Sequence, residues 1–264
     1  MVPESIVKKT DMTTGNKAER SLVRLKASFP YRALRSIYNV RHAATYARFR
    51  QRYLRRDSAT IADYLRTEEA PKLQIGCGGN SLPGWLNTEY FPARPDLIHL
   101  DATGRFRFPD CTFDQVYSEH VIEHLPLSGG LNLLAESCRV LRPGGRIRIS
   151  TPPMEFLIGL FEQPEAGLNS SYLQWHHDTW LDDAPLRTPA VVINDFVRNW
   201  GHLFIYDELT LTEAMRRAGF VELRRFAIED SGAPDLAAHE YVDRMPPGLL
   251  QLSTLTIEGV KPAA

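Results

Sequence analysis

From Lys72 to Val260, short apolar runs alternate with turn-forming residues. The spacing predicts strands near 72–76, 85–89, 97–101, 113–118 and 145–151. A helix is predicted near 128–141, with Ser128 as its cap and Pro143-Gly144-Gly145 as its stop. Asp207 opens another, which runs from Glu208 to Ala218 and ends at Gly219. Phe220 to Ile228 and Leu252 to Val260 then read as two closing strands, an antiparallel pair. Residues 152–200 interrupt the pattern: rich in Pro, Trp, His and Asp, they read as an irregular inserted lid. Strands alternating with helices predict an α/β fold, an open and mostly parallel sheet with helices on its faces.

The amino-terminal quarter has a different texture. Residues 1–20 carry few large apolar groups and read as a disordered tail. Residues 21–70 read as a helical arm. Its first part, 21–56, predicts two arginine-studded helices interrupted near Pro30, and Ser58 is placed to cap a third ending before Pro71. Residues 71–264 form the predicted main domain.

Charge sharpens that division. Residues 1–66 hold 15 Lys and Arg against 5 Asp and Glu, whereas the remainder holds 16 against 27. A basic arm on an acidic body points to an anionic partner, and residues 21–56 are expected to touch a membrane surface peripherally. Nucleic acid is disfavoured, because the arginines are not set in a recognisable RNA-binding module. The expected location is the cytoplasm, at most at the inner face of the membrane: the start is polar and no apolar run approaches the roughly 18–20 residues of a span. Cys77, Cys111 and Cys138 are odd in number and form no CxxC pair, so neither a disulfide framework nor a zinc knuckle is indicated.

The candidate chemistry begins at Leu73-Gln74-Ile75-Gly76-Cys77-Gly78-Gly79-Asn80. An apolar run that stops on three glycines in four residues delivers bare backbone to a ligand. Pro83-Gly84 and the next apolar segment follow at once, leaving no room for a helix. Glu89 ends the second strand, where a carboxylate can accept from both ribose hydroxyls. Asp101 ends the third, where a carboxylate suits an adenine amine with the Ala102 N–H alongside. A dinucleotide needs G-x-G-x-x-G and a helix N-terminus for its pyrophosphate. Here the third glycine position is Ser81 and the helix is missing, which argues against NAD. S-adenosylmethionine has no pyrophosphate and tolerates both departures.

LQIGCGGN, the segment from Asp101 to Leu125 and LRPGGRIRIS (Leu141 to Ser150) resemble successive motifs of class I S-adenosylmethionine-dependent methyltransferases. The closest likeness is to the subgroup with the type-11 domain and a shortened first βαβ unit, associated with cell-surface polysaccharides. The resemblance implies a Rossmann-like seven-stranded sheet with an antiparallel last strand. It implies S-adenosylmethionine on Gly76, Cys77, Gly78, Gly79, Asn80, Glu89, Asp101 and Ala102, with Glu119 or His120 on the methionine side.

The acceptor side has no such guide. Methyl transfer needs an aligned acceptor and exclusion of water, and a hydroxyl acceptor gains from a base. Aromatic faces beside imidazoles suit a small-molecule or glycan acceptor, so O-methylation of a sugar or glycan is expected; the alternatives are an RNA methyltransferase using the basic arm and a non-catalytic S-adenosylmethionine-binding regulator or partner. His202, in Asn199-Trp200-Gly201-His202, is the first candidate base, and His176, His177 and Asp178 are the second. His120-Val121-Ile122-Glu123-His124 matches H-x-x-E-H, but it follows a strand where the zinc motif needs a long helix and a third ligand. No metal is therefore assigned, and a divalent ion on His120, Glu123 and His124 is kept only as an alternative to a structural role.

Overall fold

The computed structural model describes residue 53, residues 56–181 and residues 184–263. The tail at 1–20 and the arm helices over 21–56 lie outside the described residues, apart from residues 53 and 56. Contacts divide the chain into residues 1–59 and residues 60–264, and the second unit carries the sheet.

Seven strands form one sheet: β1 (Lys72–Ile75), β2 (Leu86–Glu89), β3 (Ile98–His99), β4 (Phe113–Glu119), β5 (Leu141–Thr151), β6 (Val221–Phe226) and β7 (Leu255–Val260). Their order is β3-β2-β1-β4-β5-β7-β6. β1 to β5 pair in parallel, and β7 runs antiparallel to both its neighbours. This is the Rossmann-like, seven-stranded sheet with an antiparallel last strand that the motifs imply. Its strands bury Leu73, Ile75, Leu86, Ile98, Val116, Ile147 and Ile149 in one core. They alternate along β1 and β5 with Gln74 and Arg148, which point to the opposite face and are buried there as well.

Helices pack on the sheet, among them one that precedes β1 and one between β4 and β5. The helix at 56–67, α1, is already under way at residue 56, so Ser58 lies inside it and is not its cap. Its Tyr64 hydroxyl takes the Lys72 N–H at 2.9 Å and lies 3.0 Å from the Gly84 carbonyl, fixing the start of β1 to the turn before β2. The helix α2 (Leu127–Val140) begins after Pro126 with no side-chain cap, so Ser128 sits in its first turn. It also runs directly into β5. Pro143-Gly144-Gly145, expected as a helix stop, lie within that strand at a shift of register opposite Phe113 and Gln115. A Cβ at Gly145 would stand 2.8 Å from the Arg142 carbonyl oxygen, which explains the glycine there.

The segment expected to be irregular is mostly helical: α3 (Met154–Glu162), α4 (Gly167–Trp180) and α5 (Pro189–Asn199). Pro153, Ala166 and Thr188 precede them without a side-chain capping bond, so most of the usual start signals are missing. Burial holds these helices instead. Phe156, Leu157, Leu160, Tyr172, Val192 and Phe196 form a second core with Leu249. The next helix, α6 (Glu208–Arg217), starts as its sequence demands, with Asp207 accepting the Thr210 N–H at 2.7 Å. A short helix, α7 (Leu249–Ser253), leads into β7. Among the described residues, no helix is long and apolar enough to cross a membrane.

Candidate cofactor and acceptor site

The strand order turns back at β1, so the carboxyl ends of β1, β2 and β4 meet at the switch point where open α/β sheets take ligands. The glycine loop leaves β1 there. Gly76 and Gly78 hold φ values of +69° and +52°, a region that side chains disfavour. A Cβ at Gly76 would lie 2.3 Å from Val121 Cγ2, so the loop passes too close under the turn after β4 for any other residue. At Gly78 and Gly79 the same position is open space. Bare backbone therefore faces outward from the loop.

Glu89, the last residue of β2, stands beside it; β3 ends at His99, so Asp101 lies two residues past its strand and does not close it. Glu89 Oε2 accepts the Gly78 N–H at 2.9 Å, and Oε1 accepts the Tyr90 N–H at 2.9 Å. Asp101 Oδ1 accepts from the Thr103 N–H and hydroxyl, and the Ala102 carbonyl accepts from Asn132 Nδ2. Burial pushes the Cys77 thiol up, which keeps it a neutral small hydrophobe. Asn80 turns its side chain elsewhere, donating to the His239 carbonyl at 2.9 Å. Glu119 Oε1 lies 3.0 Å from Arg244 Nη2, and the Tyr117 hydroxyl donates to Oε2 at 3.2 Å. His120 follows with φ +50°, an uncommon conformation that marks a constrained turn.

No helix stands between β1 and β2, and two amides do its work. Gln74, buried inside β1, donates to the Asn80 carbonyl at 2.9 Å and accepts the Leu82 N–H. Asn87 Oδ1 also accepts that N–H, at 2.9 Å, and its Nδ2 donates to the Leu82 and Trp85 carbonyls. Leu82 and Trp85 then fill the vacant face of the sheet with Tyr117 and Leu236. The cover thus comes from the residue 233–239 segment, far along the chain. A polar Gln74 in the middle of an apolar strand was the available sequence signal for this arrangement.

The segment holding Leu236 is anchored by Arg148, which is fully buried in β5. Its guanidinium lies 2.8 Å from Glu240 and 2.7 Å from Glu258, and donates to the Asp230 and Ala227 carbonyls. No sequence pattern announced this cluster, whose members are some 90 and 110 positions apart.

The acceptor-side candidates fall into different settings. Asp178 is exposed and bound by Arg187 and by Gln174. Buried His176 lies 2.9 Å from Asp195, which also receives the Asn199 amide and the Trp200 indole N–H. His177 is buried with no hydrogen-bond partner on either nitrogen among the described residues. His202 packs on Phe196 and stacks at 4.9 Å from the His124 ring. Burial pulls its imidazole down to about 4, so it is neutral at physiological pH. Such a ring is a weak base but keeps a free lone pair.

Burial also lowers His176 and His239 below the ordinary histidine value. As pH falls through about 6.5, the unfolded chain takes up these protons before the folded one does. Stability is therefore expected to drop from that pH downward, ahead of any carboxylate protonation. Urea midpoints measured at about pH 7.5 and about pH 5.5 check this, and the lower pH must give the lower midpoint.

Sequence comparison with curated proteins finds no match. Among solved structures, the chain is similar to a methyltransferase dependent on S-adenosylmethionine from Archaeoglobus fulgidus. That pair is 16% identical, covers 83% of this chain and 94% of the other, and has a TM-score of 0.43. It is also similar to phosphoethanolamine N-methyltransferase 2 of Haemonchus contortus in complex with S-adenosyl-L-methionine. There the identity is 12%, the coverage 78% and 52%, and the TM-score 0.39. A family model described as a methyltransferase domain matches residues 46–223, two thirds of the chain, with strands β1 to β5 inside it. On that match the chain belongs to the methyltransferase-domain family and is a methyltransferase dependent on S-adenosylmethionine.

Proposed function

We propose that the enzyme methylates a hydroxyl of a sugar or glycan-type acceptor, with S-adenosylmethionine held across the carboxyl ends of β1, β2 and β3. The observation that carries the cofactor placement is the bond from Gly78 N–H to the Glu89 carboxylate, which joins loop and acid in one edge. Glu89 takes the ribose hydroxyls, and Asp101 with the Ala102 N–H takes the adenine edge. The backbone of Gly76, Cys77, Gly78, Gly79 and Asn80 faces the amino-acid end, with Glu119 and His120 on the methionine side. When bound, the cofactor supplies an electrophilic sulfonium methyl group. The chain's own residues must then align the acceptor and exclude water.

Residues 152–200 act as the lid in this reading. Trp180 and Trp200 meet edge to face at 4.9 Å and stay exposed, giving aromatic surface on which a sugar ring can stack. We place His202 first on the acceptor side, next to Trp200, and treat His176, His177 and Asp178 as lid residues behind it. The basic residues of 21–56 hold the enzyme near an anionic surface where lipid-linked glycans reside.

The test is methyl transfer from labelled S-adenosylmethionine to a panel of saccharides, lipid-linked glycans and RNA. Label is expected in the glycans, together with salt-sensitive retention on anionic liposomes. Labelling of RNA alone would replace this reading.

A further inference from the structure

The turn after β4 brings together groups that the cofactor does not use. Glu123 is completely buried, yet its Oε1 has no hydrogen-bond partner among the described residues. That oxygen lies 3.0 Å from His120 Nδ1, an ion-pair contact without hydrogen-bond alignment. The loop from Trp200 to Phe204 folds onto the same spot, as the Leu203 and Phe204 N–H groups donate to the Glu123 carbonyl at 2.7 and 3.1 Å. This loop delivers His202, whose Nδ1 is buried and likewise unpartnered. Buried polar groups are seldom left unsatisfied, and an unpartnered carboxylate oxygen beside an unpartnered imidazole nitrogen calls for an occupant.

We propose that Glu123, His124 and His202 form a binding site for one divalent transition-metal ion. One ligand atom from each lies within 4.8 Å of the others. Metal bonds of about 2.0–2.2 Å need these atoms roughly 3–4 Å apart, which small side-chain rotations supply. Two imidazoles and a carboxylate are a donor set suited to zinc, cobalt or ferrous iron, and poorly suited to magnesium or calcium.

The surroundings orient each ligand as metal sites require. Thr151 Oγ1 donates to Glu123 Oε2 at 3.0 Å, fixing the carboxylate and leaving Oε1 with only the His120 contact. His124 Nδ1 stands 3.3 Å from the Gly201 carbonyl; a proton there leaves Nε2 as the ligand atom. The His202 ring packs against Phe196 at 4.6 Å, and its buried Nδ1 has no hydrogen-bond partner among the described residues. Glu123 is buried, His124 exposed and His202 intermediate, so the remaining coordination positions face outward. A hydroxyl of the acceptor can reach them there, a use that rests on the acceptor side proposed above.

The full-length chain, cleared of metal with a chelator, is titrated with cobalt(II) and followed by calorimetry and visible absorption. One cobalt per chain is expected, with a ligand-field band and no thiolate charge-transfer band. His124→Ala and His202→Ala should each weaken binding by at least about tenfold while S-adenosylmethionine affinity stays intact. His124 is exposed, so its variant folds even if the His202 variant does not. Lack of stoichiometric binding, a thiolate band, or binding that His124→Ala leaves intact would overturn the site. None of these results touches the cofactor assignment, which fails only if S-adenosylmethionine does not bind.

Discussion

Gly76→Ala is expected to cost about 2–4 kcal/mol of stability and to weaken S-adenosylmethionine binding at least tenfold, where Gly78→Ala costs only about 1 kcal/mol. The two glycines share a left-handed backbone, so alanine carries the same conformational penalty at either position. They differ in what a methyl group meets. At Gly76 it runs into Val121 Cγ2 at 2.3 Å, and either the loop or the turn after β4 must give way. That turn holds His120, Glu123 and His124, so the displacement reaches cofactor and acceptor sides together. At Gly78 the methyl enters open space. Denaturation curves and cofactor titrations of both variants check the contrast. The double variant Gly76→Ala with Val121→Ala should regain the steric part of the loss and not the backbone part.

Arg148→Met is expected to destabilise the protein by about 3–5 kcal/mol, the range for breaking a buried ion pair on one side. Glu240 and Glu258 would be left as buried carboxylates without their cation. The consequence extends to binding. Arg148 also holds the Ala227 and Asp230 carbonyls, and this stretch leads to Leu236 and His239 beside Trp85 and Tyr117. Loosening it uncovers the face where a first helix would lie, so cofactor affinity should fall with stability. Adding Glu240→Gln and Glu258→Gln to Arg148→Met should restore part of the stability, because neutral amides are less costly to bury than lone carboxylates. Urea unfolding of the single and triple variants measures both effects.

Much of the fold could be read from local pattern. Strands β1, β2, β4 and β7 announce themselves as short apolar runs, and Asp207 and Gly219 bracket α6 because caps act within one turn. The irregular reading of residues 152–200 failed for the same reason. The helices there lack side-chain caps, and their apolar faces are defined by partners such as Leu249 that come much later in the chain. Pro143-Gly144-Gly145 misled because a glycine pair signals both a helix end and a strand irregularity. The loop after β1 and Glu89 at the end of β2 could be placed because each ends a strand that the pattern reveals, whereas β3 stops at His99, two residues short of Asp101. What replaces the missing helix could not be read, since Gln74, Asn87 and Leu236 act through contacts the fold creates. His124 and His202 are a further case. The H-x-x-E-H sequence lacks its third ligand until the loop at Gly201 folds back upon it.

The most direct measurement is calorimetric titration of S-adenosylmethionine into the full-length protein and its Glu89→Ala variant, with NAD as the comparison ligand. The wild type is expected to bind one S-adenosylmethionine per chain. Glu89→Ala should lose at least about tenfold in affinity, from the ribose contacts and the released Gly78 N–H together. NAD should not compete. Equal affinity in the two proteins, or tighter binding of NAD, would contradict a cofactor held between the glycine loop and Glu89.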